Sequence, residues 1–191
     1  VRRSRGESAS EDASSASEAA DGFPLQAYAE PNQFFENTGD GRFEEASAKA
    51  GRLTSWSEIS RAVLVGDLDG DGDLDAVITQ GNGPARIFRN DSPKRGNWLQ
   101  VRAYDPQLRR DALGAVIEVQ AGSRNFVRAV SPAYSYLSAN PATVHFGLGK
   151  ADRVDRIVVR WPDGLVEEFS ASSVNQLLQI EKGKGKPDGM D

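Results

Sequence analysis

The sequence contains no cysteine and a single histidine, His145. The absence of cysteine excludes disulfide bonds, thiolate zinc sites and cysteine nucleophiles, and one histidine excludes a multi-histidine metal site. No apolar run approaches the ~20 residues that a bilayer-spanning helix requires, so no membrane insertion is predicted. Positive charge is also outnumbered: the chain has 23 Lys and Arg and 28 Asp and Glu, which gives a net charge of −5. Nucleic-acid binding is not predicted, since it requires clustered positive charge.

The acidic residues are concentrated in two places. Residues 1–22 are mostly Ser, Ala and charged residues, with Val1 as their one large apolar side chain. Such a composition cannot bury enough surface to fold, so we interpret this segment as a disordered linker. Because the chain begins at Val1, we expect it to be a piece of a longer protein. Five further acids lie between Asp67 and Asp75, and the remainder of the chain is nearly neutral.

From Phe23 onward the pattern predicts β structure, because short apolar runs separated by Gly, Asn and Asp clusters are typical of strands and turns. In four segments apolar residues alternate with polar ones. Their apolar positions are Leu99, Val101 and Ala103; Ala115, Ile117 and Val119; Ile157, Val159 and Trp161; and Leu178 and Ile180. Glycine-containing turns that suit tight hairpins lie at residues 38–41, 121–123 and 162–164. The one predicted helix is a short segment over Phe43–Leu53.

A polar, turn-rich junction at residues 91–96 separates two predicted domains. Residues 32–37 are weakly repeated 53 positions later, a spacing near the period of β-propeller blades. The sequence therefore predicts an all-β protein with the linker over 1–22 and a partial propeller blade in a repeat region over 23–95. An antiparallel β-sandwich-like domain over 96–182 and a polar tail over 183–191 complete the predicted organisation.

The motif that indicates a binding site is an aspartate-rich segment between two apolar runs. Like charges about 4 Å apart repel by about 4 kcal/mol at an effective dielectric constant of 20, so this segment needs a cation. Oxygen ligands without His or Cys favour Ca²⁺, and a flexible, glycine-containing spacing suits its six to eight ligands better than the rigid octahedron of Mg²⁺. The predicted calcium ligands are Asp67, Asp69, Asp71, Asp73 and Asp75.

The spacing also assigns a role to each position of this loop, counted from Asp67. The carboxylates at positions 1, 3 and 5 converge on one centre, Gly72 allows the sharp turn, position 7 offers its backbone carbonyl and position 9 closes the site. Leu68 and Leu74 are then expected to face the core. An EF-hand requires Glu at position 12 and flanking helices, but Ile78 stands there between apolar, strand-like flanks. The alternative that remains open is a solvated acidic turn without a metal.

Two families resemble this sequence. Residues 34–43, Ala50, Gly51 and the loop from Asp67 to Asp75 resemble an FG-GAP (VCBS-type) repeat, the calcium-looped blade unit of integrin-like β-propellers. The rest resembles the ASPIC/UnbV domain that follows such repeats in the cartilage acidic protein family and its bacterial relatives. The segments that carry this second resemblance are Gly96–Leu99, Asp111–Ala115, Tyr136–Asn140, His145–Gly149, Val158–Gly164 and Asn175–Gln176.

The resemblance covers roughly residues 32–182. It implies an extracellular or cell-envelope protein with calcium-stabilised blades and no enzymatic activity. Since the chain contains one complete calcium repeat, the other blades of a closed propeller are expected upstream in the same protein.

The leading hypothesis is a calcium-binding, non-enzymatic, secreted adhesion or interaction module that forms the C-terminal part of a larger propeller protein. Its expected cofactor is Ca²⁺ and its expected partner is a protein or a glycan. Two alternatives are a lectin-like module that binds carbohydrate and an accessory domain of a hydrolase whose active site lies upstream. Tyr134 and Tyr136 form the candidate recognition patch. His145 is interpreted as a structural histidine, since no Gly-x-Ser-x-Gly nucleophile motif is present. Trp161, at a strand end before Pro-Asp-Gly, is interpreted as a core aromatic.

Overall fold

The computed structural model describes residues 25–93, 96–170 and 172–187, and the predicted linker over 1–22 lies outside them. The described chain consists of β-strands and three short 3-10 helices, Leu25–Tyr28, Ser47–Lys49 and Gly51–Thr54. The prediction of an all-β protein is therefore confirmed. Within the described residues, no helix is both long and apolar enough to cross a membrane. The chain divides into two compact units. The first consists of the described residues up to 61 together with residues 79–86. The second consists of residues 62–78 together with the described residues from 87 on.

The first unit contains four complete short strands. They are β1 (Glu30–Pro31), β2 (Phe35–Asn37), β3 (Phe43–Glu45) and β4 (Ser57–Glu58). β2 and β3 form the predicted hairpin, whose turn contains Gly39 and Gly41 at φ of +88° and +83°. The helix predicted over Phe43–Leu53 begins instead as strand β3 and continues as two 3-10 turns. That part of the prediction is wrong, because pairing with β2 satisfies the backbone of residues 43–45.

The Glu58 carboxylate binds two side chains of the first unit. It accepts hydrogen bonds from the Arg86 guanidinium and from Gln80 Nε2, the latter at 2.9 Å. The Arg86 guanidinium also lies 4.5 Å from the centre of the Trp56 ring, a distance typical of a cation–π contact. Hydrogen bonding from Arg86 lowers the pKa of Glu58, so this carboxylate is ionised at neutral pH.

Three strands follow in the order β5 (Ser60–Gly66), β6 (Asp75–Gln80) and β7 (Arg86–Phe88). Residues 62–78, which include the end of β5, the start of β6 and the aspartate-rich loop between them, belong to the second unit. The loop is therefore in the same compact unit as the C-terminal strands.

The C-terminal part of the second unit contains two larger sheets and one small one. Its strands are β8 (Asn97–Asp105), β9 (Arg110–Asp111), β10 (Val116–Ala121), β11 (Arg124–Ala129), β12 (Val144–Gly149), β13 (Arg153–Val154), β14 (Arg156–Arg160), β15 (Val166–Phe169), β16 (Ser172–Ser173), β17 (Gln176–Glu181) and β18 (Lys186–Pro187). One sheet has the order β11-β10-β14-β15-β18. The other has the order β12-β8-β17, with β9 paired to β8, and β13 pairs with β16.

The two larger sheets share one apolar core, as the sandwich-like prediction requires. Along β8 the residues Leu99, Val101 and Ala103 are completely buried, whereas Gln100 and Arg102 between them are half-buried. The same alternation gives a buried face on β10, whereas β14 has three consecutive buried residues, Ile157, Val158 and Val159. Trp161 is 3% exposed, so the predicted core aromatic is confirmed. Burying each such aliphatic side chain contributes about 1.5–3 kcal/mol, and this face holds the two sheets together.

One strand pair of this domain is not antiparallel. β17 runs parallel to β8, with Gln176 opposite Leu99 and Glu181 opposite Tyr104. A parallel pair cannot be closed by a tight hairpin and needs a long connection. The first and last long strands of the domain are therefore neighbours in one sheet.

The described start of the predicted polar tail is part of the fold. Gly183 N and Gly185 N donate hydrogen bonds of 2.9 and 3.0 Å to the carboxylate of Glu167, which is 3% exposed. β18 then pairs with β15. Because buried carboxylates need such donors, these glycines anchor the chain beyond Lys182.

Lys182 joins two turns of the domain through its ammonium group. Lys182 Nζ lies 2.5 Å from Asp163 Oδ2 and 3.5 Å from Asp105 Oδ2. Hydrogen bonding to Asp163 raises the pKa of Lys182, and the same bond lowers the pKa of Asp163. The pKa of Asp105 is lowered mainly by the backbone N–H of Leu108.

Candidate metal centre

The aspartate-rich loop connects the end of β5 to the start of β6, and its own side chains shape its backbone. Asp69 Oδ1 accepts a hydrogen bond from Asp71 N at 3.3 Å, and Asp71 Oδ1 accepts one from Asp73 N at 2.9 Å. These are Asx-type turns, in which an Asp side chain bonds the backbone two residues on. The alternation of Asp with other residues therefore produces two consecutive turns, at Asp69 and at Asp71.

Three of the five predicted ligands are brought together. Asp67, Asp69 and Asp71 each contribute one carboxylate oxygen, and these three atoms lie within 4.8 Å of one another. Oxygens bound 2.3–2.6 Å from a common Ca²⁺ ion can be at most about 4.6–5.2 Å apart. The three carboxylates are thus close enough to bind one calcium ion, and their oxygen chemistry suits a hard cation.

The Asp67 carboxylate accepts three hydrogen bonds. Its Oδ1 accepts from Gly70 N at 2.7 Å, and its Oδ2 accepts from Gly72 N at 3.0 Å and from Gln100 Nε2 at 2.8 Å. A carboxylate has about four lone-pair sites, so three hydrogen bonds leave room for one metal–oxygen contact. The loop fixes the orientation of this side chain without using up its capacity to bind a cation.

The carboxylate of Asp75 is bound elsewhere. It is 3% exposed, and its two oxygens accept hydrogen bonds from Leu68 N at 2.9 Å and from Asn90 N at 2.8 Å. Among the described residues, the metal-competent carboxylate group contains neither Asp75 nor Asp73. The five-residue ligand set therefore stays a prediction, and the geometry supports its first three members.

The two leucines of the loop do not face the core. Leu68 is 55% exposed and Leu74 is 39% exposed, so the expectation from the sequence is wrong for both. The reason is that the backbone N–H of Leu68 is turned inward to the buried Asp75 carboxylate. Burial of these two leucine side chains therefore does not hold the loop in place.

The strand that leads into the loop is fixed by the segment between β11 and β12. Asn140 is 5% exposed, its Oδ1 accepts from Val65 N at 2.7 Å, and its Nδ2 donates to Pro132 O at 3.2 Å. Ser135 Oγ accepts from Val63 N at 3.0 Å. These side chains satisfy backbone donors of β5 in place of a neighbouring strand.

Three side chains of the β12-β8-β17 sheet contact the loop, and the sequence analysis gave none of them this role. Besides the bond from Gln100 to Asp67, His145 Nε2 donates to Gly72 O at 2.9 Å. The Trp98 indole lies against Gly72, where an added Cβ would be 1.9 Å from Trp98 Cε2. The rings of Trp98 and His145 are stacked with centres 6.2 Å apart. His145 is therefore a hydrogen-bonded structural residue, as interpreted, but its partner is the acidic loop.

Nearby positive charge is supplied by Arg89. Its guanidinium is paired with Asp91 at 2.8 Å, and this pairing is the main cause of its raised pKa. Asp69 and Asp71 add a smaller attraction that raises the pKa of Arg89 further. Since Arg89 and Asp91 are both mostly exposed, their charges are screened by water and only weakly offset the acidic cluster.

A cleft of about 610 Å³ lies beside the loop. Its lining includes Asp67, Gln100, Arg128, Tyr134 and His145. Burial raises the pKa of the Tyr134 hydroxyl. Tyr134 and Tyr136 are each 61% exposed, but the described lining of the cleft includes Tyr134 and not Tyr136. The two tyrosines of the candidate recognition patch thus differ in their surroundings.

A second cleft, of about 540 Å³, lies in the first unit and has two carboxylates in its lining, Glu30 and Glu58. They are directly opposite each other on β1 and β4. A glycosidase pair needs one carboxyl group that is protonated at working pH. Glu58 is bound to Arg86 with a lowered pKa, so it does not suit the role of the general acid.

Comparison with known proteins finds a family match in each part of the chain. Residues 20–78 match the family described as an FG-GAP-like repeat, and residues 105–187 match the family described as ASPIC and UnbV. The first match is thus similar to an FG-GAP-like repeat, and the second is similar to an ASPIC and UnbV domain. The repeat match contains the whole acidic loop, whereas Trp98 and Gln100 lie between the two matched ranges and His145 lies inside the second.

Three curated relatives are similar over most of the chain. Cartilage acidic protein 1 of Mus musculus is 32% identical over 124 residues, which cover 61% of this chain and 19% of that protein. The Xenopus tropicalis protein of the same name is 30% identical over 123 residues, covering 61% and 18%. The Homo sapiens protein is 32% identical over 141 residues, covering 73% and 20%. The aligned part is thus about a fifth of the length of these relatives.

The resemblance noted in the sequence is confirmed by these matches. The repeat region does not form a closed propeller within the described residues, since its strands are the short sheets described above. The domain boundaries at 23–95 and 96–182 stay a prediction.

Proposed function

We propose that the loop from Asp67 to Asp75 binds a structural calcium ion in an extracellular, non-enzymatic interaction module. The observation that carries this proposal is the convergence of three carboxylate oxygens within 4.8 Å. A bound Ca²⁺ would supply two positive charges to Asp67, Asp69 and Asp71 and so remove their mutual repulsion. The FG-GAP-like repeat, which contains this loop, and the similarity to cartilage acidic protein 1 support the same class of function.

The structural role of the ion follows from the position of the loop. Asp67 receives hydrogen bonds from both loop glycines and from the β8 strand, so a cation bound to it also strengthens the closure of the β5-to-β6 connection. We propose that further repeats of the same protein complete the propeller, since the relatives are about five times longer than the aligned part.

The experiment is thermal unfolding of the chain in EGTA, in 5 mM CaCl₂ and in 5 mM MgCl₂. Extracellular sites of this ligand type have Kd values of about 10⁻⁴–10⁻³ M, so 5 mM calcium should stabilise the fold by about 1–2 kcal/mol. For a chain of this size that corresponds to a Tm increase of roughly 2–8 °C. Magnesium should produce a smaller increase.

The variant Asp69→Asn should lose the calcium-dependent increase, because it removes one converging carboxylate. The matched control is Asp152→Asn, an exposed Asp outside the loop, which should keep the full increase. An unchanged Tm of the parent chain in calcium, or a full increase in Asp69→Asn, would contradict the proposal.

A second candidate function, glycan binding, is favoured by the cleft beside the loop. Its lining combines the aromatic ring of Tyr134 with hydrogen-bonding groups of Arg128 and Gln100, a mixture that suits the polar and apolar faces of a sugar ring. A glycan array probed with the chain tests this. Tyr134→Ala should abolish binding, whereas Tyr136→Ala, equally exposed but outside the described lining, should not. If both variants bind like the parent chain, the cleft is not a glycan site.

A further inference from the structure

The outer face of the β12-β8-β17 sheet is where the acidic loop is seated. Gln100 and His145 are direct cross-strand partners on β8 and β12, and Trp98 is opposite Gly147 one step along the same face. Leu99 and Val101, which alternate with these residues, are completely buried on the opposite face. In a two-layer domain of this kind, the outer face of a sheet ordinarily faces water. Here the side chains on this face instead contact the acidic loop, which belongs to the same unit.

The contacts bind three different parts of the loop. Gln100 Nε2 donates to Asp67 Oδ2 at 2.8 Å, so it holds a carboxylate that belongs to the converging set. His145 Nε2 donates to Gly72 O at 2.9 Å, which fixes a peptide group between the predicted ligand positions. The Trp98 indole covers the face of Gly72 on which a side chain would stand. A carboxylate, a carbonyl and a turn are each held by a separate side chain.

We infer that Trp98, Gln100 and His145 are positioning residues of the cation site. The sheet that carries them has two strands, β12 and β17, inside the ASPIC and UnbV match, and it holds the loop of the FG-GAP-like repeat in place for the ion. The inference rests on the proposed calcium binding and deepens it. Side chains that hydrogen-bond a metal ligand orient it, and their removal typically weakens metal binding 10–100-fold. Gln100 has this relation to Asp67, and His145 and Trp98 fix the turn that brings Asp69 and Asp71 to the same centre.

The repulsion between the loop's own carboxylates explains why the loop has to be held in shape before the ion binds. Three carboxylates that repel one another would separate if the backbone were free. The donor groups of Gly70, Gly72 and Gln100 all point at Asp67, so the loop is held closed before a cation arrives. Calcium binding then requires less ordering of the chain, and a site that is ordered in advance binds more tightly.

The test is a calcium titration of ¹⁵N-labelled protein in which the amide resonances of Gly70 and Gly72 are followed by NMR. Gln100→Ala should raise the calcium Kd tenfold or more. His145→Phe keeps an aromatic ring beside Trp98 but loses the bond to Gly72 O. It should raise the Kd about twofold to tenfold, the effect of losing one ordinary hydrogen bond.

The matched control is Gln179→Ala, on the adjacent strand β17. The Gln179 amide bonds Glu181 at 3.2 Å on an exposed part of the same sheet, and its removal should leave the Kd within a factor of two. All titrations are made at a temperature where circular dichroism shows each variant folded. A role in stability alone would lower Tm without changing the Kd.

Hydrogen exchange in EGTA gives a readout that does not involve the ion. The amides of Gly70 and Gly72 should exchange faster in Gln100→Ala and His145→Phe than in the parent chain or in Gln179→Ala. If the parent chain binds calcium and both variants keep its Kd and its exchange rates, the inference is overturned and the proposed function stands. If the amides of the parent chain do not shift at 20 mM calcium, the proposed function fails and the inference fails with it.

Discussion

Replacement of Gly72 by alanine tests how the acidic loop is held. Gly72 has a φ of +92°, and a Cβ built there would be 1.9 Å from Trp98 Cε2. A left-handed backbone costs a non-glycine residue about 1–2 kcal/mol, and forcing an extra carbon into packed surroundings costs about 1–3 kcal/mol more. Gly72→Ala should therefore lower the free energy of unfolding by roughly 2–5 kcal/mol.

Gly70 provides the matched comparison within the same loop. Its φ is +78°, and an added Cβ would have no atom within 4 Å. Gly70→Ala should thus lower the free energy of unfolding by about 1–2 kcal/mol, the backbone contribution alone. The difference between the two variants measures the contact between the loop and the Trp98 indole.

The assay is urea unfolding in EGTA, followed by far-UV circular dichroism so that loss of a tryptophan does not change the signal. A double-mutant cycle with Trp98→Ala completes it. In the Trp98→Ala background the effect of Gly72→Ala should fall to that of Gly70→Ala, because the clashing ring is gone. Equal effects of the two glycine variants in the parent chain, or an unchanged effect of Gly72→Ala without Trp98, would refute the packing of the loop on β8.

Two further predictions concern the polar contacts of the same unit. Asn140→Ala should lower the free energy of unfolding by about 1–3 kcal/mol, because it leaves Val65 N without its 2.7 Å acceptor; urea unfolding measures this, and a loss below about 0.5 kcal/mol contradicts it. Lys182→Met should remove stability that the parent chain has at neutral pH. Hydrogen bonding to Lys182 is the main cause of the lowered pKa of Asp163 and a smaller cause of the lowered pKa of Asp105, so this contribution is present above their ordinary value of 3.8 and is lost as pH falls through the lowered values. Since the pKa of Lys182 is raised, its contribution is present below 10.5 and is lost as pH rises through the raised value. The Tm difference between parent and variant should therefore be largest near neutral pH and shrink at both extremes, and a difference that is constant from pH 3 to 11 would contradict this assignment.

The features that the sequence predicted well are local ones. Alternation in residues 99–103 places Leu99 and Val101 in the core because successive side chains of a strand point to opposite faces, and burial confirms it. The turn at Gly122, with a φ of +60°, closes the predicted hairpin between β10 and β11. The Asx-type turns at Asp69 and Asp71 each advance the chain by two residues, as the spacing of these acids suggests, and Asp67 converges with them within 4.8 Å.

The features that sequence analysis missed depend on contacts between distant residues. Gln100 is a polar residue between two apolar ones, and alternation alone predicts that it faces water. Its bond to Asp67, 33 positions earlier, depends on how the loop lies on the sheet, which no local pattern specifies. Leu68 was misplaced for a related reason, because the buried acceptor of its N–H, Asp75, takes the position that an apolar side chain was expected to fill.

The parallel pairing of β8 with β17 has a consequence for biosynthesis. Leu99 and Gln176 are opposite each other although 77 positions separate them. A chain emerges from the ribosome at about 5–20 residues per second. The edge of β8 that pairs with β17 therefore stays unpaired for several seconds after β8 is synthesised. During that interval its unpaired N–H and C=O groups can template wrong pairings. A nascent chain halted before Gln176 should therefore remain dependent on chaperones, whereas one extended past Glu181 can complete the sheet and be released.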